Sequence, residues 1–154
     1  SIDEFETRTR PLVETDLGRP LTDAELDTYR RVAPLVQERM KVLTEAPEQV
    51  RFLYLDELDY DADSWKKVMT KPETPQALEA AIAKLEAVGE WSTEAIEKEL
   101  RTMLEELGFN ARKGLQPLRV AATGSSISPP LFESLAALGR ERSLARLAEA
   151  RSRL

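Results

Sequence analysis

The sequence predicts an all-α protein of roughly eight to ten short helices arranged in two small bundles. Apolar residues recur at helical spacing, and one clear example has them at positions 78, 81, 82, 85 and 88. Residues that favour helix starts and stops bracket several such segments. No stretch of alternating apolar and polar residues is long enough for a convincing strand. The 154 residues are enough for one domain, or for two small ones, with an apolar core.

The first bundle is expected to cover residues 1–71. Residues 1–20 should form a lead-in with one short helix, because two prolines and a glycine interrupt the segment. Thr22 and Glu25 have the spacing of a capping box, in which each side chain satisfies a backbone N–H of the other residue. This pair predicts the start of a well-defined helix.

Pro34 predicts a break in that helix. A proline has no N–H to donate and disfavours the helical conformation of the residue before it. The helix should therefore end near Val32. A second helix should run from Pro34 to about Thr44, and a third should begin at Pro47, since proline is favoured in the first helical turn.

Five acidic residues lie between positions 56 and 63. Such a cluster suggests calcium, but the segment lacks the central Gly and the Glu at the twelfth position that an EF-hand loop requires. A solvated turn is the favoured interpretation. In it, Asp61 or Asp63 caps the short helix that starts at Ser64.

The second bundle is expected to cover residues 72–154, after a proline-containing linker at 70–75. Its first helix carries the apolar stripe that ends at position 88. Ser92 or Thr93 should cap the next helix. A last amphipathic helix should run from Arg140 to about the C-terminus.

The composition excludes several classes of function. The chain has no Cys, so it has no disulfide and no thiol nucleophile, and it has no His, which excludes Ser-His-Asp catalysis and ordinary zinc sites. No nucleotide-binding glycine motif is present. We therefore expect no catalytic residue, no metal and no cofactor in this chain. Without a signal peptide or a membrane-spanning run, a cytoplasmic monomer is the default expectation.

Charge is distributed unevenly along the chain. The net charge is −6, but residues 109–154 contain eight Lys or Arg against three Asp or Glu. Residues 1–108 contain the other 14 basic and 25 acidic residues. An acidic body thus carries a basic C-terminal part, and a basic face can attract phosphates even when the overall charge is negative.

Arg119 is the most informative of the basic residues, because small and apolar residues flank it in the sequence 117–122. Its planar fork of donors suits a carboxylate, a phosphate or a base edge. The alternative is a buried ion pair with a helical Glu. Lys113, Arg140 and Arg142 are candidates for phosphate contacts. For Arg140, Arg142 and Arg146 of the last helix, a solvated face is the first interpretation and phosphate contact is the second.

A loop of small and hydroxyl residues follows Arg119. The Ser128 hydroxyl suits a phosphate or a base, or it caps a helix that begins with Pro129. Leu131 and Phe132 offer an apolar surface for an unstacked base. Alternatively, both side chains belong to the core, and this alternative is the stronger one for Phe132.

Five short motifs resemble one known family. They are PLRVAATG at 117–124, SPPLF at 128–132, LGRERSL at 138–144, ERMKVL at 38–43 and FLY at 52–54. In their order along the chain and at this spacing, the motifs are similar to the C-terminal region of bacterial glutamyl-tRNA synthetases.

The resemblance implies an all-helical anticodon-binding region of two subdomains that clamps the anticodon stem and loop of glutamate tRNA. In that family, ATP and Mg²⁺ bind to a separate catalytic domain with HIGH-like and KMSKS-like motifs, and neither motif occurs here. The chain is therefore expected to be the tRNA-reading part of a glutamate–tRNA ligase. Its expected partners are glutamate tRNA and the catalytic domain of the same enzyme.

The resemblance also implies roles for individual residues. Arg119 matches an arginine that contacts the anticodon, and Arg39 matches a position that helps to select the third anticodon base. In the family, Arg at the latter position accompanies glutamate-only recognition, whereas Gln accompanies tolerance of glutamine tRNA. Ser128, Pro129 and Leu131 match the loop and helix start that hold the splayed bases. Pro130 lies between Pro129 and Leu131, at a position where the family commonly has Gly or Ala.

A different class of function fits the same composition. A helical adaptor for protein–protein contacts would also present a basic C-terminal face, and that face would meet acidic partners.

Overall fold

The computed structural model describes residues 1–40 and 43–154, and within them it is all-α, as predicted. These residues contain no strand. Their α-helices are α1 (Ile2–Leu17), α2 (Asp23–Arg39), α3 (Ala46–Val50), α4 (Ala62–Ser64), α5 (Thr74–Glu86), α6 (Thr93–Leu107), α7 (Ala111–Thr123), α8 (Leu131–Leu138) and α9 (Arg140–Ser152). Two 3₁₀ turns, Leu43–Glu45 and Arg51–Leu53, and a π-helical turn, Trp65–Met69, lie between them.

The expectation of a lead-in with one short helix was wrong about its length, because α1 is a regular helix of 16 residues. Phe5, Thr9 and Val13 are buried and recur every four residues, so one face of the helix packs on the core. Pro11 lies on the exposed face. Thr7, whose carbonyl cannot bond to Pro11, is exposed as well, so the proline lies on a face that water can reach and its cost is lower.

The capping box at the start of α2 is confirmed. The Glu25 N–H donates to the Thr22 hydroxyl at 3.2 Å, and the Thr22 N–H donates to a Glu25 carboxylate oxygen at 3.0 Å. Arg19 makes two further hydrogen bonds to that carboxylate. These bonds, chiefly the pair with Arg19, lower the pKa of Glu25 to about 2, so the cap stays ionised over most of the acid range.

The predicted break at Pro34 was wrong, because α2 continues through it to Arg39. Pro34 is exposed, whereas Val32, Ala33 and Val36 are buried. Burial of the three apolar residues offsets the one hydrogen bond that Pro34 cannot donate. Arg30, whose carbonyl would accept that bond, is exposed as well. The predicted helix 34–44 thus corresponds to the end of α2, and its expected continuation through residues 41 and 42 lies outside the described residues.

The acidic segment is a capped turn, as predicted. The Ser64 N–H donates to Asp61 Oδ2 at 2.9 Å, so Asp61 is the cap of α4. Tyr60 and Trp65 make an edge-to-face contact across the turn, with ring centroids 4.7 Å apart. Within the described part of the chain, no group of three acidic, His or Cys side chains could hold a metal ion.

The boundaries of the C-terminal helices agree closely with the sequence. Ser92 caps α6 through a hydrogen bond from the Ala95 N–H, and Gly108 ends α6 with a φ of +69°. α5 packs against α6, α7 and α9, while α8 packs against α6. The core residues of this half are large aliphatics such as Leu78, Leu100 and Leu118.

Two contacts between the halves determine where the functional residues lie. α2 packs on α8, and α7 packs on the Arg51–Leu53 turn. The end of α2 and the loop before α8 therefore meet at one place on the surface. The division into subdomains 1–71 and 72–154 stays a prediction. Over residues 1–40 and 43–154, no helix has both the length and the apolar character to cross a bilayer.

Gly124, which ends α7, should be intolerant of a side chain. Its φ is +82°, and a Cβ there would lie 2.6 Å from the backbone oxygen of Asp59. We expect Gly124→Ala to lower the free energy of unfolding by about 1–3 kcal/mol, because a positive φ and a backbone clash combine. Chemical denaturation would measure this loss.

Gly108→Ala is the matched control, since Gly108 also has a positive φ but no atom of the described residues lies within 4 Å of its Cβ position. It should show the conformational cost alone. Equal losses for the two variants would mean that the close approach to Asp59 does not matter.

Candidate nucleic-acid interface

Arg119 lies on α7 and points toward the loop that precedes α8. Its Nη1 donates to the Ser128 hydroxyl at 2.5 Å and to the Pro129 carbonyl at 2.8 Å. The side chain is half-buried. The fork of the guanidinium is therefore held in one orientation by the protein itself.

Arg39 reaches the same loop from the other half of the chain. It is the last residue of α2, and its Nη1 donates to the Ser128 carbonyl at 2.6 Å, across 89 positions of sequence. A cation at a helix C-terminus is stabilised by the helix dipole. The side chain is exposed, so the guanidinium lies at the surface.

The two arginines repel each other at this site. Burial, followed by the positive charge of Arg39, lowers the pKa of Arg119, whereas the carboxylate of Glu133 acts in the opposite direction. In the described part of the chain, Arg119 forms no ion pair, so the alternative of a buried Arg–Glu pair is not found. Two like charges thus converge on a loop that supplies only neutral acceptors, and such an arrangement favours an anion.

Most donors of this pair remain available. Each guanidinium has five N–H groups, and the hydrogen bonds between described residues use Nη1 alone in both arginines. The Nε and Nη2 groups can therefore donate to a ligand. Planar, directional donors suit a phosphate or a base edge.

Ser128 and its neighbours belong to the buried loop that the two arginines contact. Ser128, Pro129 and Leu131 are all buried. The Ser128 hydroxyl donates to the Pro129 carbonyl at 2.8 Å and no side chain caps α8, so the alternative of Ser128 as a helix cap was wrong. Direct contacts of these three residues with a ligand stay a prediction. Ile127, which the sequence did not single out, is 63% exposed beside them.

Comparison with a protein-family model identifies the family of the chain that carries this surface. The model described as "Anticodon binding domain" matches residues 4–151, nearly the whole chain. The chain belongs to the anticodon-binding domain family. The resemblance seen in the sequence motifs is thereby confirmed.

Curated relatives of this anticodon-binding domain are glutamate–tRNA ligases. The protein from Mycolicibacterium smegmatis is 47% identical over 135 residues, which are 86% of this chain and 28% of the relative. The one from Saccharopolyspora erythraea is 44% identical over 149 residues, which are 94% of this chain and 29% of the relative. The chain therefore spans less than a third of the length of the relatives it matches.

Solved structures agree on the fold. A crystal structure of a glutamate tRNA ligase from Elizabethkingia meningosepticum matches 99% of this chain and 29% of its own chain. The TM-score is 0.78 at 18% sequence identity. The helical arrangement of the anticodon-binding domain is therefore shared well beyond the range of close sequence similarity.

Two of the three side chains predicted to contact phosphates donate to backbone carbonyls of the protein instead. Arg140 donates to the Val88 and Gly89 carbonyls at 2.5 and 2.6 Å, beyond the C-terminus of α5. Arg142 donates to the carbonyls of residues 53 and 55. Lys113 is exposed, with its Nζ 4.6 Å from the Phe109 ring centroid. Of these three side chains, Lys113 is the most available to a phosphate.

Arg146 has a structural role that the sequence did not reveal. Its guanidinium donates to the carbonyls of Phe52, Leu55 and Ala122, at 2.6–2.9 Å. The residue is only 8% exposed, and burial lowers its pKa to about 10, still well above neutral. The interpretation of a solvated arginine face was wrong for this residue. Arg146 joins the Phe52–Leu55 segment to the end of α7.

Two further polar groups belong to the helices around Arg119. Gln116 Oε1 and Glu133 Oε2 are buried, and neither accepts a hydrogen bond from the residues that the structure describes. Gln116 precedes Arg119 by three residues on α7, and residues at this spacing share a helix face. A Gln or Glu on a helix is usually solvated, so the sequence carried no signal for either group.

Proposed function

We propose that this domain binds the anticodon stem-loop of glutamate tRNA as the tRNA-recognition part of a glutamate–tRNA ligase. The observation that carries the proposal is the convergence of Arg39 and Arg119 on one loop, where the hydrogen bonds between described residues leave most of their donors unused. The names of the relatives supply the identity of the tRNA. Joining glutamate to tRNA with ATP would take place outside this chain, where ATP and Mg²⁺ would also bind.

The geometry suits recognition of unstacked loop bases. Proteins read single-stranded RNA mostly through hydrogen bonds to base edges that stacking no longer covers. Arg119 is already held by Ser128 and Pro129, so little side-chain freedom is lost when it binds a base. Each well-placed bidentate contact is worth about 1–3 kcal/mol of discrimination.

Within this proposal, Arg39 contributes to selection of the third anticodon base. We expect Arg39→Gln to bring the affinities for glutamate tRNA and glutamine tRNA closer together, because the shorter neutral amide loses both the charge and the fork. Equilibrium binding of the two tRNAs to the wild type and the variant measures the ratio.

Arg31→Gln is the matched control, since Arg31 is an exposed arginine on the same helix and away from the loop. It should leave the ratio unchanged. If Arg39→Gln also leaves it unchanged, the proposed role of Arg39 is wrong. If the wild type binds glutamate tRNA and a version with an altered third anticodon base equally well at moderate salt, anticodon reading as a whole is contradicted.

The rival function, a protein–protein adaptor, gains no support from these observations. An adaptor would bind acidic partners without regard to the anticodon. We further propose that the domain acts in the cytoplasm, as a monomer attached to the catalytic domain of its enzyme.

A further inference from the structure

A second group of cations lies beside the arginine pair. Lys67, Lys71, Arg112 and Lys113, here called the α7 basic patch, line one pocket of about 200 Å³. All four side chains are exposed. Glu73 is the single carboxylate in the lining of this pocket. The patch is thus strongly positive in a chain whose net charge is −6.

Intramolecular pairing does not explain these charges. Among the ion pairs between described residues, none includes a member of the α7 basic patch. Surface cations elsewhere on the molecule commonly have such a partner, for example Arg51 with Asp16 and Lys84 with Glu106. The patch therefore has charge available for an external anion.

The position of the patch on α7 is unfavourable for the folded chain alone. Arg112 and Lys113 occupy the first turn of the helix, which contains no acidic residue. The N-terminus of a helix carries partial positive charge, so cations there reduce stability. A bound anion would reverse this cost, since the dipole and the side chains would attract it together.

The patch and the arginine pair share α7 and the loop that follows it. Ser126 and Pro117 line the same pocket, and Ser126 is two residues from Ser128. Along α7, Lys113 and Arg119 are six residues apart, which corresponds to about 9 Å of rise and about 120° around the helix. Gln116, which also lines the pocket, lies midway between them on the helix.

We propose that the α7 basic patch binds the sugar–phosphate backbone next to the anticodon and so forms a phosphate-binding surface beside the base-reading arginines. This inference rests on the proposed function. Contacts of this kind position the RNA and carry no sequence information. Their signature is a steep dependence of affinity on salt, which differs from the signature of a base contact.

The test compares two pairs of substitutions in the full 154-residue chain. Lys71→Gln with Lys113→Gln removes two charges from the patch. Arg8→Gln with Lys98→Gln removes two exposed charges elsewhere. The probes are a synthetic glutamate anticodon stem-loop, the same stem-loop with an altered anticodon, and polyglutamate as an acidic protein-like partner. Affinity is measured over a range of salt concentrations.

The patch pair should weaken binding of both stem-loops by the same factor. It should also reduce the slope of log K against log salt by about two, one unit for each lost phosphate contact. The control pair should change the slope much less. The proposal is overturned if the slope does not change, if the control pair reduces it equally, or if only polyglutamate binding is weakened.

These outcomes separate the two proposals. Failure of the proposed function appears in the wild type, as equal affinity for the two stem-loops. Failure of the α7 basic patch appears as an unchanged salt slope in the patch variant, whichever anticodon is used.

Discussion

Arg119→Ala should lower the affinity for the glutamate anticodon stem-loop by about 1–3 kcal/mol, while affinity for a stem-loop with an altered anticodon changes much less. The loss should be selective because Ser128 and Pro129 hold Nη1 of the guanidinium, and the hydrogen bonds between described residues leave its Nε and Nη2 groups for a base. Fluorescence anisotropy with labelled stem-loops would measure both affinities.

Two further variants separate base reading from support of the loop. Arg119→Lys keeps the charge but not the fork, so it should retain non-specific affinity and lose the anticodon preference. Ser128→Ala removes one acceptor of Arg119 and should cause a smaller loss. A folded Arg119→Ala protein that still prefers the glutamate anticodon would rule out this role for the arginine.

Helix boundaries could be predicted where the chemistry is local. Thr22, Asp61 and Ser92 each cap a helix as the sequence indicates, because a cap requires only residues within one turn. Pro11 and Pro34 led to wrong expectations because the cost of a proline depends on the side of the helix it occupies. Both are exposed, and that orientation is set by packing between helices, which the spacing of a single proline does not reveal.

The candidate site could be predicted only in part for a similar reason. Arg119 was identified from its apolar neighbours, and Arg39 from the resemblance alone. Their meeting at Ser128 depends on the packing of α2 on α8. Conversely, Arg142 and Arg146 look like a solvated face in the sequence, yet they donate to backbone carbonyls far along the chain. Carbonyl acceptors leave no mark in a sequence because every residue has one.

Arg146 should be the arginine whose loss most destabilises the fold. Arg146→Met keeps a similar apolar stem but leaves the carbonyls of Phe52, Leu55 and Ala122 without their donor. A buried acceptor without a partner costs about 1–3 kcal/mol, and removal of the desolvated charge offsets part of the sum. We expect a net loss of about 3 kcal/mol, a large fraction of the 5–15 kcal/mol that is typical of a domain.

Arg151→Met is the control for this prediction, because Arg151 lies on the same helix, is exposed, and pairs with Glu79 at the surface. It should cost less than about 1 kcal/mol. Urea denaturation of both variants at neutral pH gives the comparison. Equal stability would mean that the three carbonyls find other donors. If Arg146→Met is less stable than Arg151→Met, the buried guanidinium stabilises the domain by holding the Phe52–Leu55 segment to the end of α7.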